Sequence, residues 1–137
     1  MSLYNLFEMD QTQETGGFRL TIEDGDVSIS FLIARAGGSN KKFSSRMQNL
    51  MRPHQHAAST GKLDEKIAQD ILLVVMAETL ILGWENVADR DGEPKEFNRE
   101  NCIQLLKDLP ELRDMIWAEA NKAANFIAVD REESAKN

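Results

Sequence analysis

Four groups of residues in this 137-residue chain have types and spacings that could do chemistry. His54 and His56 could begin a metal site. On a helix, though, residues two apart point to different sides, and no cysteine or nearby acid completes a ligand set. They read as polar residues of the connector His54 to Gly61. Asp89-x-Asp91-Gly92 has the start of a calcium loop, but the third acidic position and the closing glutamate are missing from their required spacing. A turn is expected there. The run Gly37-Gly38-Ser39-Asn40-Lys41-Lys42 could cradle a phosphate at a helix start, but it lacks the spacing of a phosphate-binding loop and reads as a glycine turn between elements. Cys102 falls on an apolar helical stripe, where a small buried thiol is expected. No serine, histidine and acid assemble into a hydrolytic motif. The sequence therefore predicts no catalytic residue, no metal site and no cofactor, and a protein that is not an enzyme.

The bulk properties agree with a binding protein. The length suits one domain, and 42% hydrophobic with 28% charged residues is the composition of a folded soluble chain. A formal net charge of -7 disfavours general attraction to nucleic acid or anionic membrane. A single cysteine excludes an intramolecular disulfide and fits a reducing cytoplasm. The start MSLYNLFEMDQTQ has neither the basic flank nor the apolar core of a signal peptide. The run Ile71 to Leu82, interrupted by Glu78 and Thr79, is too short for a bilayer span of roughly 20 residues. The charge is segregated. From Val27 to Leu63 there is no acidic residue, while Arg35, Lys41, Lys42, Arg46, Arg52 and Lys62 all lie there. Such a basic middle with acidic flanks could complement a second copy of the chain, or could intermix within one folded surface.

Elements that would position these residues can be read along the chain. Residues 1–16 form a polar arm expected to be mobile, in which Leu3, Leu6 and Phe7 could dock as a short helical turn. Phe18, Leu20 and Ile22, then Val27, Ile29, Phe31 and Ile33, alternate with polar residues on either side of Asp24-Gly25, which predicts a β-hairpin over 17–36. Its edge would be open to strand addition. Ser39 or Asn40 can cap a helix with Phe43, Met47, Leu50 and Met51 on one stripe, ended by Pro53. A long helix is expected from Lys62 to Leu82. Its second half is apolar around most of its circumference, as either the central helix of the fold or part of a subunit interface. A turn-rich excursion from Trp84 to Phe97 follows. Asn98 then caps a helix bearing Cys102, Leu105, Leu106 and Leu109, and Pro110 starts a last one bearing Leu112, Met115, Ile116, Ala120, Ala123 and Ile127. Residues 39–129 would be a helical body and 130–137 a polar tail. The expected fold is mainly α, a compact bundle of about four helices with an N-terminal β-hairpin. Trp84, Phe97 and Trp117 are expected as core anchors, with a partner-binding anchor as the alternative for one of them.

Two stretches, IARAGGSNKKF and WENVADRDGEPKEF followed by NRENCIQLLKDLPELRDMIW, resemble the tail assembly chaperones of long-tailed bacteriophages and prophages. The pattern positions are Arg35, Gly37, Gly38, Asn40 and Lys41 in the first, and Trp84, Asp91, Gly92, Pro94 and Phe97 in the second. The resemblance implies a small, mostly helical, non-virion protein of the bacterial host cytoplasm. Its partners would be the tape-measure protein and the tail-tube protein of the same phage, and it would form a homo-oligomer. It also implies a longer product made by ribosomal frameshifting, for which Ala135-Lys136-Asn137 could be encoded with a slippery run of A. A minor tail or connector protein of the virion is the competing reading. A small nucleic-acid-binding regulator, using Arg35 to Lys62, stands behind it.

Overall fold

Alternation with a period of two makes the first regular layer. In the computed structural model, which describes residues 2–128, β1 (Phe18–Asp24) and β2 (Val27–Ile33) pair antiparallel from Phe18↔Ile33 to Asp24↔Val27. The loop is Gly25-Asp26, with Gly25 at φ +61, as the first central position of a type II′ turn requires. Phe18, Leu20 and Ile22 face the core with Ile29, Phe31 and Ile33, while Arg19, Thr21 and Glu23 are exposed on the opposite face.

The helical bundle with an attached hairpin is corrected by what happens within the expected long helix. α5 runs only over Glu65–Val75. Met76–Leu80 then forms a π-helical turn, and Ile81–Glu85 is a strand, β3. β3 pairs antiparallel with β2, so the hairpin supplies two strands of a three-stranded sheet in the order β1-β2-β3. The fold is mixed α/β. An apolar run covering every side of a helix has lost the period that separates buried helix from buried strand, which is why the switch is hidden. Two local causes are visible. The Thr79 hydroxyl donates to the Val75 carbonyl at 2.7 Å, loosening the helical ladder. Ile33 pairs with Ile81 but Leu32 with Gly83, so Leu82 is an extra, bulged residue turned outward at 37% exposure.

The remaining elements pack on one face of this sheet. α3 (Lys41–Met51) leads through a 3-10 turn at Arg52–His54 into the short α4 (Gln55–Ser59), so the expected connector is partly helical. α3 packs on α5, and α6 (Arg99–Asp108) packs on α5 and α7 (Pro110–Ala120). Asn98 caps α6 by accepting from the Asn101 N–H, and Pro110 occupies the first turn of α7, both as the sequence indicates. Phe31, Ile33, Leu73, Met76, Leu80, Ile81, Cys102, Leu106, Ile116 and Ala120 form one buried cluster spanning both layers. α7 stops at Ala120, and a 3-10 turn at Ala123–Phe126 inserts Phe126, fully buried, edge-on to Phe18 at 5.4 Å. The N-terminal segment carries α1 (Leu3–Phe7) and α2 (Gln11–Gly16). Met9 bridges to Ile127, and the Asp10 N–H donates to Phe126 O at 2.7 Å. The expected polar tail, with Ala135, Lys136 and Asn137, lies outside the described residues. Among the described residues no helix is long and apolar enough to cross a membrane.

Candidate interaction surface

The segment after β2 is where chain elements meet. Ala34 N–H donates to Leu80 O, Arg35 N–H to Glu14 O and Ala36 N–H to Ala120 O, all within 2.8–2.9 Å. Three successive residues thus fasten the π turn, α2 and the end of α7. Of the two cap candidates Ser39 and Asn40, Asn40 takes the cap position of α3, but its side chain makes no capping hydrogen bond. Its amide donates to Arg35 O at 2.9 Å and Thr79 O at 3.2 Å, and the residue is buried. It thus joins one carbonyl just past β2 to one in the π turn that precedes β3.

Beside it lies a buried carboxylate. Glu14 is 2% exposed, bonded by the Arg35 guanidinium and by the Ser39 hydroxyl at 2.8 Å. Burial acts to raise the Glu14 pKa, but the hydrogen bonds from Arg35 and Ser39 and the Arg35 charge together hold it below the ordinary carboxylate range. Gly38, at φ +55, leaves the room this requires. A Cβ there would overlap the Glu14 carboxylate and lie 3.0 Å from Arg35 Cδ. Arg35, Gly38 and Asn40 are therefore joined in one polar knot. Gly37, at φ +126, supplies the turn, and Lys41 is exposed at the first position of α3.

A second cluster ties the helices. Glu78 accepts from Arg46 Nε at 2.6 Å and Arg99 Nε at 2.9 Å, bridging α3, the π turn and α6. The Arg46 hydrogen bond is the main cause of its lowered pKa, with burial opposing and Arg99 assisting. Arg35 with Glu14 and Arg46 with Glu78 pair the basic window with acidic flanks inside one chain, so folding intermixes part of the charge segregation seen in sequence.

The second set of pattern positions fastens the excursion. Trp84 lies edge-on between Phe31 (6.2 Å) and Phe97 (5.1 Å), and its indole N–H donates to Lys95 O at 2.9 Å. Trp117 stacks at a tilt on Phe43 at 6.0 Å. Asp89 Oδ1 accepts from the N–H groups of Asp91 and Glu93, Gly92 sits at φ +83, and Pro94 bridges Ala88. The aspartates shape a turn, as the sequence suggested. His54 is half-buried and His56 exposed. Among the described residues no group of three or more His, Cys, Asp or Glu could hold a metal ion. Cys102 is fully buried, and burial pushes its thiol up to about 12. Native protein is therefore expected to react with a thiol-specific disulfide reagent on the order of a hundredfold or more slower than unfolded protein. Stopped-flow absorbance at pH 8, with and without denaturant, measures the ratio.

The exposed apolar side chains gather chiefly in the N-terminal segment. Leu3, Tyr4 and Phe7 are 72%, 76% and 66% exposed, with Leu6 at 46%, and they form the largest concentration of exposed apolar side chains described. Leu3, Leu6 and Phe7 were legible as apolar residues of the arm. Glu14, β3 and Phe126 were not legible as structural centres. A lone acid in a polar segment carries no sign of burial, although a basic residue with no acid near it in sequence, Arg35, hints at a distant counter-ion.

Residues 38–137 match the model of the YdaY prophage protein family, while no curated protein and no solved structure matches the chain. The matched stretch takes in Trp84 to Phe97, α3, α5, α6, α7 and β3, and leaves out α1, α2, β1 and β2. Covering well over half of the residues, the match places this chain in the YdaY prophage protein family.

Proposed function

We propose that the chain is a non-catalytic tail assembly chaperone that binds the tape-measure protein of its phage and helps recruit tail-tube subunits. The observation that carries this reading is the exposed cluster of Leu3, Tyr4, Leu6 and Phe7 on a folded body. A long helical partner exposes apolar stripes until it is enclosed, and a soluble protein displaying its own apolar cluster can cover them reversibly. Membership of a prophage family supports the phage origin that this reading requires, and the two chaperone-like stretches favour the role itself.

Co-expression with the longest neighbouring tail gene product tests it. The product is expected to be soluble with this chain and largely insoluble without it. The variant Leu3→Ser/Tyr4→Ser/Phe7→Ser is expected to fold with an unchanged melting temperature and to lose most of that effect. Solubility indifferent to the wild-type chain would overturn the proposal. So would abundant chain in purified virions, which favours a minor tail or connector protein.

A further inference from the structure

Among the described residues β1 is an edge strand with β2 as its neighbour, and its exposed face carries Arg19, which reaches Ser30 and Glu85, and Glu23, which accepts from the Ser28 hydroxyl. The two-residue loop closes on Asp24 and Val27, and such a loop closes on a pair that exchanges both backbone hydrogen bonds. Counting back by two, Ile22, Leu20 and Phe18 also direct their N–H and C=O groups into β2. The N–H and C=O groups of Arg19, Thr21 and Glu23 therefore point away from the sheet. Among the described residues no backbone hydrogen bond from another element reaches them.

These three positions are symmetric about Thr21 in the way a two-fold axis needs. Antiparallel pairing of β1 with a second β1, Thr21 opposite Thr21, places Arg19 of each copy opposite Glu23 of the other. Opposite charges directly across a ladder attract, like charges there would repel, and β1 has neither the proline nor the bulge that blocks strand addition. On the core side the same register sets Leu20 beside Ile22, continuing the apolar face across the axis. We infer that two copies of this chain associate through β1 to make a continuous six-stranded antiparallel sheet with two-fold symmetry. This is independent of what the N-terminal cluster binds, so either proposal can fail alone.

Sedimentation of the full chain over a range of concentrations tests it, with the hairpin monitored by circular dichroism. The wild type is expected to be a dimer. Thr21→Pro removes an N–H that the hairpin itself does not use and is expected to give a monomer with an unchanged hairpin signal. Glu23→Arg, which sets like charges opposite one another twice per dimer, is expected to weaken association roughly tenfold or more. Arg19→Glu with Glu23→Arg and Glu85→Arg restores opposite charges across the axis, keeps opposite charges at the Arg19–Glu85 pair within the chain, and is expected to recover most of the wild-type affinity even if Thr21→Pro fails to fold. A wild-type monomer at every concentration overturns the inference. A dimer equally tight in Glu23→Arg overturns it too, and places the contact elsewhere. Binding of an extended peptide of another protein to β1 of a monomeric wild type would likewise overturn it.

Discussion

Replacing Arg35 by alanine is expected to cost about 3–5 kcal/mol of folding stability at neutral pH, because it leaves a buried carboxylate without its counter-ion. The Arg35 and Glu14 side chains are 22% and 3% exposed, so water can compensate little of the loss. The pH dependence makes the expectation specific. Glu14 has its folded pKa below the ordinary value of 4.5, so in the wild type the knot contributes stability above that pH and loses it as pH falls through the folded pKa. In Arg35→Ala only the Ser39 hydrogen bonds are left to oppose burial, so the folded pKa is expected to lie higher than in the wild type. The favourable contribution at neutral pH then shrinks, and less of it is left to lose as acid protonates Glu14. Urea titrations at pH 7 and pH 4 should show the gap between the two proteins narrowing in acid. Glu14→Gln in the Arg35→Ala background should recover part of the loss at pH 7 and remove the part of the variant's pH response that comes from Glu14. A gap that is the same at both pH values would show that the guanidinium acts through packing alone.

Trp84→Ala is expected to cost about 3 kcal/mol or more, the low end for removing a large aromatic because the ring is only partly buried. The ring is the middle member of the Phe31–Trp84–Phe97 series and holds the returning chain through Lys95 O. Its loss detaches the excursion from the sheet. Trp84→Phe keeps much of the ring contact, forfeits the indole hydrogen bond, and is expected to cost about 1 kcal/mol beyond its smaller area. Chemical denaturation gives both values. If Trp84→Ala leaves stability unchanged but abolishes partner binding, the residue is a binding anchor.

The contrast between what was legible and what was hidden follows from where information sits in a chain. The β1–β2 hairpin, the Asn98 cap and the Pro110 helix start are local: a period of two, a turn glycine and an N-terminal signal each act within a few residues. β3 is decided at a distance. Ile81, Leu82, Gly83 and Trp84 are as apolar as the helix before them, and only pairing with β2, some fifty residues earlier in chain order, selects the extended form. The same holds for the polar knot. Arg35, Gly38 and Asn40 could be singled out as a pattern, but their purpose depends on Glu14 and Thr79, which arrive from separate elements. Patterning along a sequence reports which face of an element is buried, and says little about which remote group completes it.

The position of β2 in the middle of the sheet has a consequence for the unit that must be inherited together. The family match begins at residue 38, yet β3, inside the match, has its strand neighbour outside it. Phe31 and Ile33, from the unmatched portion, sit at the centre of the buried cluster. A fragment cut at the matched boundary would retain the helices with an unroofed apolar side and a strand bonded to nothing. Evolutionary recognisability and autonomous folding therefore have different borders in this chain. Any relative that folds the matched stretch in the same way needs strands in the places of β1 and β2 to close the same face.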